Sequence, residues 1–324
     1  MRLEYQILAA FALDLALGDP RWFPHPVRGI GWLALRTEPL ARRMLPWPRA
    51  AGVATALLII GLTGAVTYAL VYFAGKAHPA AGEAVSIVLL YTTIAARDLA
   101  GHAMAVFRSL AAGDLDEART RVGMIVGRDA ADLTEAQVAR AAVESVAEST
   151  VDGVTAPLVF AVLAGPVGAM VYKAVSTLDS SFGYRNERYV HFGWASARID
   201  DLANYVPARL TGPVMCLAAG LLGLRAGGAL RILLRDARNH ASPNSGFAEA
   251  AMAGAMGVQL GGLNYYSGQP MHKPTIGDPL TPLDKKHILL ANALMYVTTL
   301  LFLGACLGAR AMVLHLWQTW RVAS

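Results

Sequence analysis

Arg140-Ala-Ala-Val-Glu144-Ser-Val-Ala-Glu148-Ser-Thr-Val-Asp152-Gly153 sets three carboxylates four residues apart and then runs into twenty uncharged residues, Gly153 to Tyr172. At 100° per residue, Arg140, Glu144, Glu148 and Asp152 fall within about 120° of one helix face. Like charges at this spacing cost a helix roughly 0.2–0.5 kcal/mol per pair. Setting them at the edge of a membrane-length apolar run adds a desolvation cost. A chain that accepts both costs has use for a cation there, or for a cation-bound phosphate. Mg²⁺ fits, since it takes one or two carboxylates together with substrate phosphates. The simpler alternative is a solvated helix face with Arg140 paired to Glu144.

Outward from this ladder the chain is apolar. Of 324 residues, 55% are hydrophobic and 16% charged, and the mean hydropathy is +0.42. That balance excludes an ordinary soluble domain and predicts an all-α, polytopic integral membrane protein. Ala51–Phe73 and Ile288–Ala309 are each long enough to cross a bilayer as a helix. Gly153–Tyr172 is a third such run, but Pro157 and Pro166 predict a broken helix or a re-entrant segment. Leu210–Leu224 and Ala84–Ala96 are shorter, so the count is about four to six membrane segments. Tyr5–Leu13 is apolar but Asp14 interrupts it, and no small-residue cleavage site follows, so no signal peptide is read.

No repeat or flexible linker divides the chain, which predicts one polytopic domain over 1–324. Its polar stretches, 18–50, 97–152, 173–209 and 225–287, each carry several Arg or Lys residues. The positive-inside bias puts all four on the cytoplasmic side. Ala51–Phe73 and 84–96 then form a hairpin around the charge-poor loop 76–83. The net charge of +5 and the pI near 9.3 follow from those basic loops. No basic run is interleaved with aromatics, so nucleic acid is not an expected partner. Cys216 and Cys306 both sit in apolar runs and read as packing residues.

Within the polar stretches, Asp114–Arg121 and Thr134–Ser149 read as helices. Thr134 with Gln137 forms a capping box. Glu249–Gly257 reads as a third helix, and Ala250, Gly254, Gly257 and Gly261 are small enough to admit a second backbone.

Four further clusters carry chemistry-bearing side chains. Gly18-Asp19-Pro20-Arg-Trp-Phe-Pro24-His25-Pro26-Val-Arg28 is a proline-stiffened turn that holds Asp19, His25 and Arg28. Taken alone it also reads as an interfacial loop anchored by Trp22. Gly127-Arg128-Asp129 lies between two helices, as a binding loop or a capping turn. In the 173–209 stretch, Lys173, Arg185, Arg188 and Arg198 suit phosphates or carboxylates. Asp179, Asp200 and Asp201, with Asn204 one turn on, suit a hard cation; a basic loop with internal ion pairs is the alternative. In Arg238-Asn-His240-Ala-Ser242-Pro-Asn244-Ser245-Gly246-Phe-Ala-Glu249, a turn opens a helix. Free N–H groups there would favour an anion, with Ser245 or Asn244 as the cap.

There is no Walker P-loop, G-x-S-x-G or H-E-x-x-H motif, and the histidines lack zinc spacing. The residues alone reach a phosphate-handling membrane enzyme or transporter, and periodicity cannot name the substrate.

The motifs resemble the adenosylcobinamide-phosphate synthase family of cobalamin biosynthesis, the CobD/CbiB family. The matching pieces run in order along nearly the whole chain. They include Gly18-Asp19-Pro20, Pro24-His25-Pro26-Val27-Arg28, Val126-Gly127-Arg128-Asp129 and the ladder from Arg140 to Gly153. Then come Tyr172-Lys173-Ala174, Thr177-Leu178-Asp179-Ser180, Asn186-Glu187-Arg188-Tyr189, Asp200-Asp201-Leu202-Ala203-Asn204, Ser242-Pro243-Asn244 and Glu249–Gly254. The resemblance implies an ATP-dependent amide ligase of the inner membrane, with its active loops facing the cytoplasm. It would join adenosylcobyric acid to (R)-1-amino-2-propanol or its O-phosphate, giving adenosylcobinamide or its phosphate. A corrinoid transporter and a non-catalytic membrane sensor related to the family are the rival readings.

On that chemistry ATP and Mg²⁺ are the expected co-substrate and metal. Glu144, Glu148 and Asp152 become metal ligands, with Asp200 and Asp201 as further candidates. Lys173 and Asp179 join the ladder as catalytic residues. Asp19, His25, Arg28, Arg128, Asp129, Asn186, Arg188, Arg198, Asn204, Arg238, His240, Ser242, Asn244, Ser245 and Glu249 are the expected substrate-binding set. Membrane lipids are expected around the apolar helices. Late cobalamin-pathway enzymes and a second copy of the chain are candidate partners. Ser149 and Ser176 depart from the family pattern, where Asn is expected at each; Ala130 in place of Thr is a milder change.

Overall fold

The computed structural model of the chain describes residues 1–20, 22–184, 186–266 and 268–323. Arg185, one of the expected phosphate ligands, lies outside the described residues. In chain order the elements are α1 (Leu3–Leu17), α2 (Pro26–Met44), α3 (Pro48–Ala77), α4 (Pro79–Tyr91), α5 (Ala96–Ala111), α6 (Leu115–Gly123) and α7 (Glu135–Thr150). A π-turn at Val151–Thr155 leads into α8 (Ala156–Phe182), α9 (Trp194–Ala203), α10 (Tyr205–Leu221), α11 (Ala226–Asp236) and α12 (Ser245–Met256). A hairpin of β1 (Leu260–Tyr266) and β2 (Gln269–Ile276) precedes the long α13 (Lys286–Ala323). The fold is all-α apart from that hairpin, the only sheet among the described residues.

Four helical runs are long and apolar enough to cross a membrane: Pro48–Ala77, Pro79–Ala111, Glu135–Phe182 and Lys286–Arg321. The chain is a polytopic membrane protein. Leu210–Leu224 falls mostly in α10, which at 17 residues is short for a span. Two compact units share the chain. The first contains 1–95, 156–204 and 303–324, and the second 96–155 and 205–302.

In the first unit α3 and α4 form the helical hairpin expected around 76–83, turning on a single residue. His78 caps α4 by accepting the Ala80 N–H on Nδ1 at 3.2 Å. Gly82 lies so near Gly75 that an added Cβ would come within 2.7 Å of its Cα. The break expected in Gly153–Tyr172 is also present. Within α8, Ala164 and Gly165 leave helical geometry, with φ −138° and +61°, directly before Pro166. Pro166 cannot follow a helical residue comfortably, and Gly165 takes the left-handed φ without a Cβ penalty. Ile59, Met170, Leu178, Phe182 and Phe192 form the core of this unit.

In the second unit α7 begins as expected. Thr134 Oγ1 accepts the Gln137 N–H, and Gln137 Oε1 accepts the Thr134 N–H at 2.8 Å. Helix α12 is buried along most of its length because its side chains are small. A Cβ on Gly254 would lie 2.5 Å from the carbonyl oxygen of Gly228, so α11 and α12 meet backbone to backbone. The other glycines of that expected stripe serve other ends. Gly257 ends α12 at φ +69°. Gly261, at φ +81°, belongs to β1, where a Cβ would strike the Pro274 carbonyl.

Candidate active site

Helix α7 brings two rungs of the ladder, Glu144 and Glu148, to one small cavity within the second unit. The cavity holds about 120 Å³ and is lined by Arg128, Glu144, Glu148, Ser149, Glu249 and Lys273, among others. Glu144 is buried and fully engaged. Arg128 donates from NH2 to its Oε2 at 2.5 Å, and the Gly261 N–H donates to Oε1 at 2.8 Å. Arg140 Nε stands 3.7 Å from the same oxygen, so the simple pairing of Arg140 with Glu144 is present. Glu148 is exposed at the cavity rim and accepts one bond, from Ser245 Oγ at 3.1 Å.

The Gly127-Arg128-Asp129 turn grips the β-hairpin. Arg128 NH1 donates to the side-chain oxygen of Asn264. The Asp129 N–H donates to the Tyr265 carbonyl at 2.9 Å, and Asp129 Oδ2 accepts the Gly268 N–H at 2.7 Å. Arg140 adds bonds to Leu263 O and Asn264 Oδ1. A two-stranded hairpin is marginal on its own; here the buried Arg128 and Glu144, the half-buried Arg140 and the exposed Asp129, from α7 and the turn before it, fix it. Its payload is Lys273, half-buried at the cavity, which the sequence reading did not single out. Burial opposes the charge on Lys273, but the Tyr266 hydroxyl and the Glu144 carboxylate outweigh it and raise the pKa.

Behind the rim sit Glu249 and His240, with His240 Nε2 3.6 Å from Glu249 Oε1. Burial, and then the neighbouring Glu144 and Glu148, push the Glu249 carboxyl well above its ordinary value. Burial holds His240 below its ordinary value against the pull of Glu148. The Ser242 N–H donates to His240 Nδ1 at 3.0 Å, so the neutral ring carries its proton on Nε2, facing Glu249.

The turn Ser242–Gly246 differs from the expected anion cradle. Ser242 Oγ accepts the N–H groups of Asn244 and Ser245, so those donors are spent within the turn. The capping hydroxyl is thus Ser242, and neither Asn244 nor Ser245 caps α12 with its side chain. Asn244 Oδ1 instead accepts from Arg209. A Cβ on Gly246 would lie 2.3 Å from the Ala237 carbonyl, which holds the turn tight. Arg238 is exposed.

Asp152 lies in the π-turn after α7 and does not line the cavity with its two partners. The remaining expected residues belong to the first unit. Asp19 Oδ1 is 3.2 Å from His25 Nε2, and Arg28 donates to the Phe23 carbonyl at 2.7 Å. Lys173 and Asp179 lie on α8, half-buried. Asn186 Oδ1 accepts the Tyr189 N–H. Arg188 makes a two-pronged bond to the buried Glu38, at 3.1 and 3.0 Å; the guanidinium is thereby committed to a carboxylate of the chain itself. Arg198 pairs with Asp201 at 3.5 Å. Asp200 and Asn204 are brought together as the spacing suggests: Asn204 Nδ2 donates to Asp200 Oδ2 at 3.0 Å, and Tyr172 donates to Asn204 Oδ1 at 2.8 Å.

The ladder is not a ready-made metal cage. Among the described residues no three His, Cys, Asp or Glu side chains gather as one could. Glu144 spends both oxygens on the chain, which leaves Glu148 as the carboxylate with spare acceptor capacity. That donor set fits Mg²⁺ arriving with substrate phosphates, since the ion then needs one or two protein carboxylates.

Residues 7–295 match the family described as CobD/Cbib protein. Cobalamin biosynthesis protein CobD of Geobacter metallireducens is 57% identical over 278 residues, covering 86% of this chain and 87% of that one. The CobD protein of Pelobacter propionicus is 47% identical over 304 residues, 94% of each chain. Cobalamin biosynthesis protein CbiB of Salmonella typhimurium is 44% identical over 304 residues, 93% of this chain and 95% of its own. No solved structure matches the chain. With most of the chain and the whole carboxylate cavity inside the matched span, the chain belongs to the CobD/CbiB family of cobalamin biosynthesis proteins.

Proposed function

We propose that this chain is the ATP-dependent amide ligase that joins the carboxylate of adenosylcobyric acid to (R)-1-amino-2-propanol or its O-phosphate. The observation that carries the reading is the cavity where Lys273, the Arg128–Glu144 pair and the open carboxylate Glu148 converge. A carboxylate is a poor electrophile, so it is first phosphorylated. Its oxygen attacks the terminal phosphorus of ATP, the bond to ADP breaks, and an acyl phosphate forms. The amine then attacks the acyl carbon, the C–N bond forms, and phosphate leaves with the proton that the amine gives up.

Glu148 is the residue that would hold Mg²⁺, with Glu144 beside it. When bound, the ion would neutralise charge on the transferring phosphoryl group. Arg128 orients Glu144, and Ser245 orients Glu148. Burial favours the neutral form of His240 and the protonated form of Glu249, which limits further negative charge at the floor of the site that would repel the phosphates. The cavity volume is below the roughly 300–1,000 Å³ usual for a whole small-molecule ligand. It therefore takes the reacting head groups and leaves the corrinoid ring outside. The setting is the inner membrane, with the polar stretches on the cytoplasmic side, where ATP is available.

ATP hydrolysis by the purified protein tests this reading. It should depend on both adenosylcobyric acid and the amine. Hydrolysis indifferent to the corrinoid would remove the ligase assignment.

A further inference from the structure

We infer that Lys273, carried by the β-hairpin, is the side chain that takes the phosphoryl group in this cavity; the inference rests on the ligase reading above and adds the residue that recognises the phosphate. Among the described residues, two cations line the cavity, Arg128 and Lys273. Arg128 is committed: one terminal nitrogen bonds Glu144, the other Asn264. Nearby Arg140 is committed as well, to Leu263 O and Asn264 Oδ1. Lys273 makes no ion pair among the described residues; its ammonium bonds the uncharged Tyr266 hydroxyl and lies 6.0 Å from that ring's centroid, so its charge is drawn toward Glu144 without being paired. Across the ladder Lys273 pairs with Gly262, so no side chain of β1 stands opposite it.

Charge and size agree with this. Arg128 offsets Glu144, which leaves Glu148 and Lys273 as the open pair of opposite charges around the space. A carboxylate for a metal and an ammonium for a phosphate are the two halves of a Mg²⁺–phosphate site, and Lys is a point-charge phosphate binder. At about 30 Å³ per water, the cavity equals roughly four waters, enough for one phosphoryl group. The grip of Arg128, Asp129, Arg140 and Glu144 on the hairpin then has a purpose, because it fixes the strand from which Lys273 reaches in.

Two sources could bring that phosphate: the terminal group of ATP, or the monoester of a phosphorylated amine. Calorimetric titration of the full-length, detergent-purified protein separates them. The probes are a non-hydrolysable ATP analogue with Mg²⁺, 1-amino-2-propanol O-phosphate and the unphosphorylated amine. Lys273→Met should weaken one of the phosphorylated probes about ten-fold or more, the scale of a lost charge-assisted bond. Lys273→Arg should restore much of that loss, and the unphosphorylated amine should be unaffected. Loss confined to the nucleotide assigns the terminal phosphate of ATP; loss confined to the aminopropanol phosphate assigns the monoester. Unchanged affinity for both phosphorylated probes in a Lys273→Met protein that melts like the wild type overturns the inference. So does a wild type that binds neither. If phosphate binding follows Lys273 but no amide ever forms, the ligase reading fails and the phosphate site stands.

Discussion

Arg128 and Glu144 meet at 2.5 Å with both side chains nearly buried, and the second oxygen of Glu144 holds the backbone of Gly261. One pair thereby ties the turn after α6, the middle of α7 and the first strand of the hairpin into a single wall of the cavity. Arg128→Met would leave Glu144 as a buried charge with one main partner gone. Breaking such a pair costs about 3–5 kcal/mol. Thermal unfolding in detergent should show a large drop in Tm, and the double variant Arg128→Met/Glu144→Gln should recover part of it. A single variant as stable as the wild type would show that the pair does not hold the wall.

Glu148 is one turn along the same helix, yet it stands at the rim, where among the described residues the Ser245 hydroxyl is its hydrogen-bond donor. Glu148→Gln should abolish product formation while membrane insertion and Tm stay near wild type, since exposed substitutions usually fall within about 0.5 kcal/mol. Full activity in this variant would remove the ladder from the mechanism.

Glu249 and His240 give stability opposite pH dependences. The Glu249 carboxyl is raised above 4.5 in the folded chain. The folded state therefore keeps a proton that the unfolded chain loses, and stability falls as pH rises from about 4.5 through the raised value. His240 is lowered below 6.5. The unfolded chain takes up that proton first, so its contribution is lost as pH drops below 6.5. Glu249→Gln mimics the neutral carboxyl and should flatten the alkaline fall in Tm while leaving the acid side in place. An unchanged alkaline fall would assign it to another group.

Glu38, in the first unit, has the reverse sign from Glu249. Burial favours its neutral form, but bonds from Arg188 and Arg42 outweigh this and hold the carboxyl below 4.5. Its contribution is present above 4.5 and is lost as pH falls through the lowered value. Hydrogen bonds to charged groups contribute about 1.5–3 kcal/mol, so Glu38→Gln should lower Tm at neutral pH and reduce the loss of stability on acidification. Equal acid sensitivity in variant and wild type would contradict this.

Local rules made part of this legible in the sequence. The Thr134–Gln137 capping box is a four-residue pattern with one geometric meaning, and it fixed the start of α7 and hence the phase of the ladder. Pro157 and Pro166 announced a break in α8, and it falls at Pro166 while Pro157 sits in the first turn. The apolar runs announced the membrane helices. The hairpin was hidden because Gly261, Gly262, Pro270 and Pro274 are residues that strands disfavour. It forms through tertiary bonds from Arg128, Asp129, Arg140 and Glu144, which no local pattern displays. Lys273 was missed with it. The Ser242–Gly246 turn misled for a related reason: its free donors are counted from sequence, but Ser242 Oγ takes up two of them. Arg188 looked like a phosphate ligand because its partner, Glu38, lies 150 residues away.

The most direct test of the central claim is product mass. Detergent-purified protein is given adenosylcobyric acid, ATP, Mg²⁺ and either aminopropanol or its phosphate, and the corrinoid is weighed. A gain equal to the amine minus water is expected, and it should be lost in Glu148→Gln. An unchanged corrinoid mass with both amines, from well-folded wild-type protein, would contradict it.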